Sequence, residues 1–225
     1  KKIDYKQYIV DSQLRYFKPH ATKIEKSFAE EISFSLNQSF KSINPKFFYD
    51  KKGSDLFESI CLLPEYYPTR TEISILKKLE PELASYLDEN IDLVELGSGA
   101  SIKTRLILDV FTKLQTRTEY YPIDISEILT ESSEQLLKDY DTLHITGIID
   151  TYEGGLEFLK NYNDRKNLIV FLGSSFGNFT PNDGKLFLQK IFSTMKSGDL
   201  FLIGLDLVKD KQILESAYDD SLGVT

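Results

Sequence analysis

The chain is 225 residues long, and 41% hydrophobic against 28% charged residues supplies enough apolar material for a substantial core, which excludes a disordered or fibrous protein. Lys and Arg number 27 against 35 Asp and Glu, a formal net charge of −8, so neither a nucleic-acid backbone nor an anionic membrane is the expected partner. A single cysteine, Cys61, and two histidines, His20 and His144, allow no intrachain disulfide and no zinc-type cluster, so no metal is expected and a reducing cytoplasm is the default.

The first residues, Lys1-Lys2-Ile3-Asp4-Tyr5, lack an initiator Met and a hydrophobic signal segment and read as a trimmed start, with the chain expected to be incomplete at both ends. Up to about residue 90 the pattern is helical and rich in aromatics. Ile24, Phe28 and Ile32 fall at helical spacing within Thr22 to Leu36; a second helix is expected from Ser54, whose hydroxyl would cap it, to Pro64; a third runs from Thr69 to Leu87. From Asp92 the rhythm changes to short β-rich runs alternating with helices. Strands are predicted at Asp92–Leu96, Glu119–Ile123, Leu143–Ile149, Leu168–Leu172 and Leu200–Leu205. The helices between them are predicted at Ile102–Leu114, Ser126–Tyr140, Gly155–Tyr162 and Gly184–Met195. Five strands alternating with helices imply an α/β fold, a doubly wound and mostly parallel sheet covered on both faces. Residues 1–90 then form a helical N-terminal extension and 91–225 the sheet-containing core. The longest apolar runs reach only strand length, far short of the roughly 20 residues of a membrane span, so a soluble protein is expected.

The first predicted strand ends in Glu95-Leu96-Gly97-Ser98-Gly99 and leads into a helix, which places two glycines where a ligand would approach the backbone. Both the dinucleotide and the Walker A patterns need a third glycine where Ile102 stands, so a ligand without a pyrophosphate suits the turn better. An E-x-G-x-G turn after a first strand resembles the S-adenosylmethionine (SAM) loop of class I methyltransferases. Asp124 follows the second strand, 27 residues after Gly97, where a carboxylate can accept from both ribose hydroxyls, although a helix N-cap is the plain alternative. Asp150, at the end of the third strand, is placed for an adenine amino group. The fourth strand runs into Gly173-Ser174-Ser175-Phe176-Gly177-Asn178-Phe179, where the Asn178 amide can both donate and accept, as an amino-acid carboxylate or amine requires.

Several blocks in one order resemble the histidine-specific SAM-dependent methyltransferase family, whose best-known member serves ergothioneine biosynthesis. They are Tyr49-Asp50-Lys51-Lys52-Gly53-Ser54-Asp55-Leu56-Phe57-Glu58, Leu63-Pro64-Glu65-Tyr66-Tyr67-Pro68-Thr69-Arg70, Glu95 to Gly99, Lys103-Thr104-Arg105, Pro122 to Ser126, Phe171 to Ser174 with Gly177-Asn178-Phe179, and Gly204 to Asp210. Ala217-Tyr218-Asp219-Asp220 and Gly223-Val224-Thr225 extend the match. The resemblance implies a Rossmann-like class I methyltransferase core lacking the family's C-terminal part. It also implies SAM as methyl donor, S-adenosylhomocysteine (SAH) as product, and methylation of the α-amino group of an amino acid, L-histidine first and to the trimethyl stage. Another amino acid or amine as acceptor, or a catalytically silent SAM-binding module, are the alternatives. By the same resemblance Gly97, Gly99, Lys103, Asp124 and Asp150 bind the cofactor, and Tyr49, Tyr66, Asn178 and Tyr218 bind the acceptor. Tyr49 would orient the amine or relay its proton. Tyr66, Tyr67 and Phe179 would wall the pocket, since aromatic faces favour a methylammonium cation. A monomer is favoured, with a small-molecule substrate as its partner. Thr151 stands where an aromatic residue beside the adenine is expected.

Overall fold

The structure is a computed structural model and describes residues 4–20, 27–48, 50–99, 101–126 and 128–225, with only the backbone of Lys51. Its centre is a seven-stranded sheet built from β1 (Tyr5–Ile9), β2 (Leu14–Pro19), β3 (Ile91–Leu96), β4 (Thr118–Asp124), β5 (Leu143–Ile149), β6 (Lys166–Phe171) and β7 (Leu200–Ile203). The strand order is β1-β2-β5-β4-β3-β6-β7, and every neighbouring pair is parallel except the β1–β2 hairpin. The helices are α1 (Phe28–Leu36), α2 (Lys51–Cys61), α3 (Tyr67–Tyr86), α4 (Ile102–Leu114), α5 (Ile128–Asp139), α6 (Tyr152–Tyr162), α7 (Pro181–Thr194) and α8 (Lys211–Tyr218).

Alternation along the strands builds two cores, because successive side chains leave a sheet on opposite faces. Leu93, Tyr120, Ile145, Leu168 and Val170 pack with Leu76 and Leu83 of α3, Leu108 and Phe111 of α4, and Leu129 and Leu136 of α5. Val94, Tyr121, Ile148, Ile169 and Phe171 pack on the other face with Leu156 and Leu159 of α6 and with Phe187 and Ile191 of α7. Both faces of β3 are covered, so its six residues are all buried. A smaller cluster of Leu63, Tyr66 and Ala217, flanked by Phe57, Ile60 and Val224, joins α2, the start of α3 and α8. Among the described residues no helix is long and apolar enough to cross a membrane.

The five predicted strands and the helices between them stand close to their predicted places, and α4 matches its predicted bounds. The chain before residue 90 is not wholly helical. Its first described segment is the β1–β2 hairpin, and β2 joins the sheet parallel to β5. Helix α2 begins at Lys51 instead of Ser54, because Asp50 caps it by accepting the Gly53 N–H at 2.7 Å. Helix α1 starts at Phe28 behind a capping box of Ser27 and Glu30. The earlier part of that predicted helix, residues 22–26, lies outside the described residues. Strand β7 stops at Ile203, and α8, absent from the sequence reading, follows with Asp210 as its cap.

Candidate functional site

Strand order reverses between β3 and β6. In an open parallel sheet, the loops at the carboxyl ends of such neighbours diverge to opposite faces and leave a crevice. Two loops border this one, and both carry backbone outside the usual regions. After β3, Gly97 and Gly99 have φ of 75° and 48°, and Ser101 has φ of 59°. After β6, Gly173 has φ of 79° and Ser174 has φ of 56°. A left-handed serine costs on the order of 1 kcal/mol or more, and such residues gather where function requires them.

The turn after β3 is held from below and open above. Gly97 donates its N–H to Ile123 O at 2.9 Å, and a Cβ on Gly97 would stand 2.8 Å from the Tyr152 hydroxyl. A Cβ on Gly99 would meet nothing within 4 Å. The hydroxyls of Ser98 and Ser101 are buried with no hydrogen-bond partner among the described residues, and unsatisfied buried donors at a glycine turn suit an absent ligand. Asp124 closes the turn from β4. It accepts the Ser126 N–H at 2.8 Å in a short turn and does not cap the helix, which starts at Ile128 with its N–H on the Ser126 hydroxyl at 3.3 Å. Burial pushes its carboxyl above the usual range, while the N–H groups of Ser126, Gly99 and Ile125 pull it back. Asp150 lies one strand further, its own N–H bonded to Asp124 O at 3.2 Å. Gly97, Gly99, Asp124 and Asp150 therefore share one sheet edge, as expected. Thr151 puts no aromatic directly after Asp150; the next residue, Tyr152, reaches the glycine turn with its hydroxyl, its ring packed against Phe171 and Phe187 at 5.5 and 6.1 Å.

Lys103 projects toward the other loop. Its Nζ donates to Glu72 Oε2 at 2.7 Å, and both oxygens of Glu72 accept the Gly173 N–H at 3.0 Å. Glu72 thus ties α3 to the first turn of α4 and to the loop after β6. Nothing in the sequence marked it, since its partners lie 31 and 101 residues away. Gly204, after β7, leaves room for it: a Cβ there would lie 1.9 Å from Glu72 Oε1. Gly204→Ala is therefore expected to push Glu72 off both partners and to destabilise the chain by about 2 kcal/mol, as broken partly buried networks do. Thermal unfolding should register this as a fall of about 4–8 °C.

A second cluster lies where α2, α3 and α8 meet. Tyr66 is only 6% exposed, and its ring stands edge-on to Phe57 at 6.1 Å and to Tyr218 at 5.8 Å. Tyr218 is 58% exposed, so this pair has one wall inside the protein and one facing solvent. Arg70 makes the corner that presents Tyr66, donating to the carbonyls of Leu63, Pro64 and Tyr66. Asp220 fixes the segment after Tyr218 by accepting the N–H groups of Leu222, Val224 and Thr225. Those bonds, the Thr225 N–H foremost, hold its carboxyl well below the usual range.

Two of the expected wall residues, Tyr67 and Phe179, are engaged elsewhere. Tyr67 is committed to the loop after β7: its hydroxyl donates to Asp206 and accepts from Lys209 Nζ at 2.9 Å, with that ammonium 4.2 Å from the ring centroid. Phe179 stacks on Phe187 at 4.8 Å, away from the Tyr66 cluster. Asn178 is exposed at the end of a 3-10 turn, Ser175–Asn178, on the loop after β6. Tyr49 lies outside the described residues.

A family profile described as histidine-specific, SAM-dependent methyltransferase matches residues 28–225. The chain belongs to that family. It is 40% identical over 196 residues to a histidine N-alpha-methyltransferase of Mycolicibacterium smegmatis, a match covering 87% of this chain and 60% of the relative. It is 36% identical over 180 residues to ergothioneine biosynthesis protein 1 of Neurospora crassa, covering 79% of this chain and 20% of that one. The chain thus spans about 60% of the length of the Mycolicibacterium relative. A solved structure from Thermobifida fusca YX, described as a candidate methyltransferase, superposes with a TM-score of 0.54 at 14% identity, covering 80% of this chain and 71% of its own. That likeness supports the α/β fold with its mostly parallel sheet; the family match makes SAM-dependent histidine methylation the chemistry of this chain's family.

Proposed function

We propose that this chain carries the donor site and one wall of the acceptor site of a SAM-dependent L-histidine Nα-methyltransferase. The observation that carries the reading is the convergence, at one sheet edge, of an open glycine turn with two unpartnered buried hydroxyls and the Asp124 carboxylate. SAM, when bound, supplies a methyl group already activated on a sulfonium. Gly97 and Gly99 allow close backbone approach, Asp124 accepts from a ribose diol, and Asp150 accepts from an adenine amino group. Lys103, held by Glu72, keeps a positive charge between the two loops, suited to a carboxylate.

The acceptor wall is the Tyr66–Tyr218 pair, with the Asn178 amide as a carboxylate ligand and Tyr49 as the residue that orients the amine or relays its proton. Helix α3 joins the two halves. Tyr66 immediately precedes it and Glu72 lies six residues further on, so at 1.5 Å per residue the aromatic wall and the donor loops are roughly 9 Å apart along the axis. That separation suits an acceptor amine and a donor methyl brought into contact between them, where alignment alone lowers a barrier by roughly 7–11 kcal/mol. Aromatic faces beside the amine favour repeated transfer, because each methyl added makes a softer cation. One cysteine in the whole chain accords with a reducing, cytoplasmic setting.

The test is calorimetric titration of the chain with SAH, then with histidine on the saturated protein, alongside mass spectrometry of histidine incubated with SAM. Micromolar SAH binding, histidine binding only afterwards and mass gains in steps of one methyl are the expected results. Failure of SAH to bind the folded chain would overturn the donor assignment; binding of SAH with methylation of a different amino acid would overturn the acceptor alone.

A further inference from the structure

The hairpin β1–β2 lies outside the residues that the family profile matches, yet it ends at the donor edge. Strand β1 runs antiparallel to β2, which runs parallel to β5, so the amino end of β1 stands beside the carboxyl ends of its neighbours. Tyr5, the first residue of β1, donates its hydroxyl to Asp150 Oδ2. The other oxygen of that carboxylate accepts the Thr151 N–H at 2.7 Å. Tyr5 is held in turn: its ring is 4.5 Å from Phe158, which also meets Phe17 of β2 at 4.7 Å and stacks on Tyr162 at 5.0 Å. Four aromatic rings thus pin the hairpin to α6 and aim one hydroxyl at the carboxylate expected beside the adenine.

Burial, with the bond to Asp150 behind it, raises the Tyr5 hydroxyl far above its ordinary range, so it remains a donor at any working pH. A carboxylate offers about four acceptor positions, and Tyr5 and Thr151 use two. The remaining lone pairs can receive an N–H and repel a carbonyl oxygen. Each donor already in place also restricts rotation of the carboxylate, which fixes where those lone pairs point.

We propose that Tyr5 is a positioning residue of the donor site: by fixing the Asp150 carboxylate it makes the pocket selective for a 6-aminopurine nucleoside over a 6-oxopurine one. The inference rests on the donor site proposed above and adds to it a residue from outside the matched region. A buried acceptor facing a carbonyl is left unpaired, which is the kind of mismatch that discriminates strongly between otherwise similar ligands.

The experiment is calorimetric titration of the chain and its Tyr5→Phe variant with SAH and with S-inosylhomocysteine, the 6-oxo analogue. Phenylalanine keeps the ring against Phe158 and removes only the hydroxyl. The unaltered chain should prefer SAH by about a hundredfold. In Tyr5→Phe, SAH should weaken about tenfold while the inosine analogue moves less than twofold, so the preference falls about tenfold. Tyr8→Phe, a hydroxyl on the same strand that is 41% exposed, should leave the ratio unchanged. In an Asp150→Asn background, Tyr5→Phe should have no further effect on the ratio, because the two act as one unit.

Both ligands weakening together in Tyr5→Phe, or neither, would overturn the proposal, as would an additive effect in the Asp150→Asn background. A Tyr5→Phe chain that does not fold shifts the test to Asp150→Asn alone, where an undiminished preference for SAH overturns it. An unaltered chain that binds neither nucleoside overturns the donor site and this inference with it; one that binds SAH with a ratio insensitive to Tyr5 overturns only this inference.

Discussion

Alanine at Gly97 should weaken SAH binding at least about a hundredfold, whereas alanine at Gly99 should weaken binding comparably at a smaller cost in thermal stability. At Gly97 two costs add. The φ of 75° disfavours any Cβ by about 1–2 kcal/mol, and the new methyl would lie 2.8 Å from the Tyr152 hydroxyl. Tyr152 cannot retreat freely, because its ring is packed against Phe171 and Phe187. The turn must move instead, which strains the Gly97 N–H bond to Ile123 O and displaces the adjoining Ser98 hydroxyl. A drop in unfolding temperature of about 5 °C should accompany the loss of binding.

At Gly99 the added Cβ meets open space, so the left-handed φ of 48°, at about 1–2 kcal/mol, is the whole cost and no clash adds to it. The fold should therefore tolerate the change. The methyl would nonetheless project into the space assigned to the ligand. Calorimetry and thermal unfolding on the two variants separate these effects: equal SAH affinity in Gly99→Ala and the unaltered chain would mean that the open side of the turn is not where the nucleoside lies.

Half of this site was readable because periodicity fixes it. Once β3, β4 and β5 were recognised as parallel strands feeding helices, Gly97, Asp124 and Asp150 had to stand at one carboxyl edge, whatever the packing details. Glu72 and Tyr5 had no such marker. Each meets its partner through tertiary packing, across 101 residues for the Gly173 N–H and 145 for Asp150, and no local spacing encodes those distances. The hairpin itself was obscured because its first strand, β1, is the edge of the sheet. Tyr5-Lys6-Gln7-Tyr8-Ile9 has mostly exposed positions and so shows no clean alternation of apolar and polar residues. Helix α8 was hidden for a different reason. Leu200 to Leu205 is a continuous apolar run that reads as one strand, but the ladder with β6 ends at Ile203, and the chain departs toward the Tyr66 cluster. The resemblance named Tyr66 and Tyr218 together, and their ring contact is the packing reason for both.

Raising the pH from 5 to 8 should cost the unaltered chain about 3 kcal/mol of stability that a Glu95→Gln variant keeps. Glu95, next to last in β3, lies beneath the glycine turn and is buried. Its carboxylate accepts from the Thr104 hydroxyl of α4 at 2.7 Å and from the Tyr120 hydroxyl of β4. Burial raises its pKa from 4.5 to about 7, outweighing the hydrogen bonds from Tyr120 and Thr104 and the nearby Lys103 charge. Between those two values the folded chain holds a proton that the unfolded chain releases, so stability falls as pH rises through the window and levels off above it. Asp92 acts in the same direction, burial lifting its pKa to about 6 against the pull of Arg165, and is common to both proteins. Carboxylates held low, such as Asp220, are ionised in both states above pH 5 and leave this window alone. The glutamine amide can still accept from Tyr120 and can donate to Thr104, so Glu95→Gln preserves the network without a charge to desolvate. Glu95→Ala would instead strand two buried hydroxyls and cost about 4 kcal/mol at pH 5. Denaturant unfolding of the three proteins at pH 5 and 8 tests the account, and a pH dependence identical in the unaltered chain and Glu95→Gln would show that Glu95 is ionised in the fold throughout.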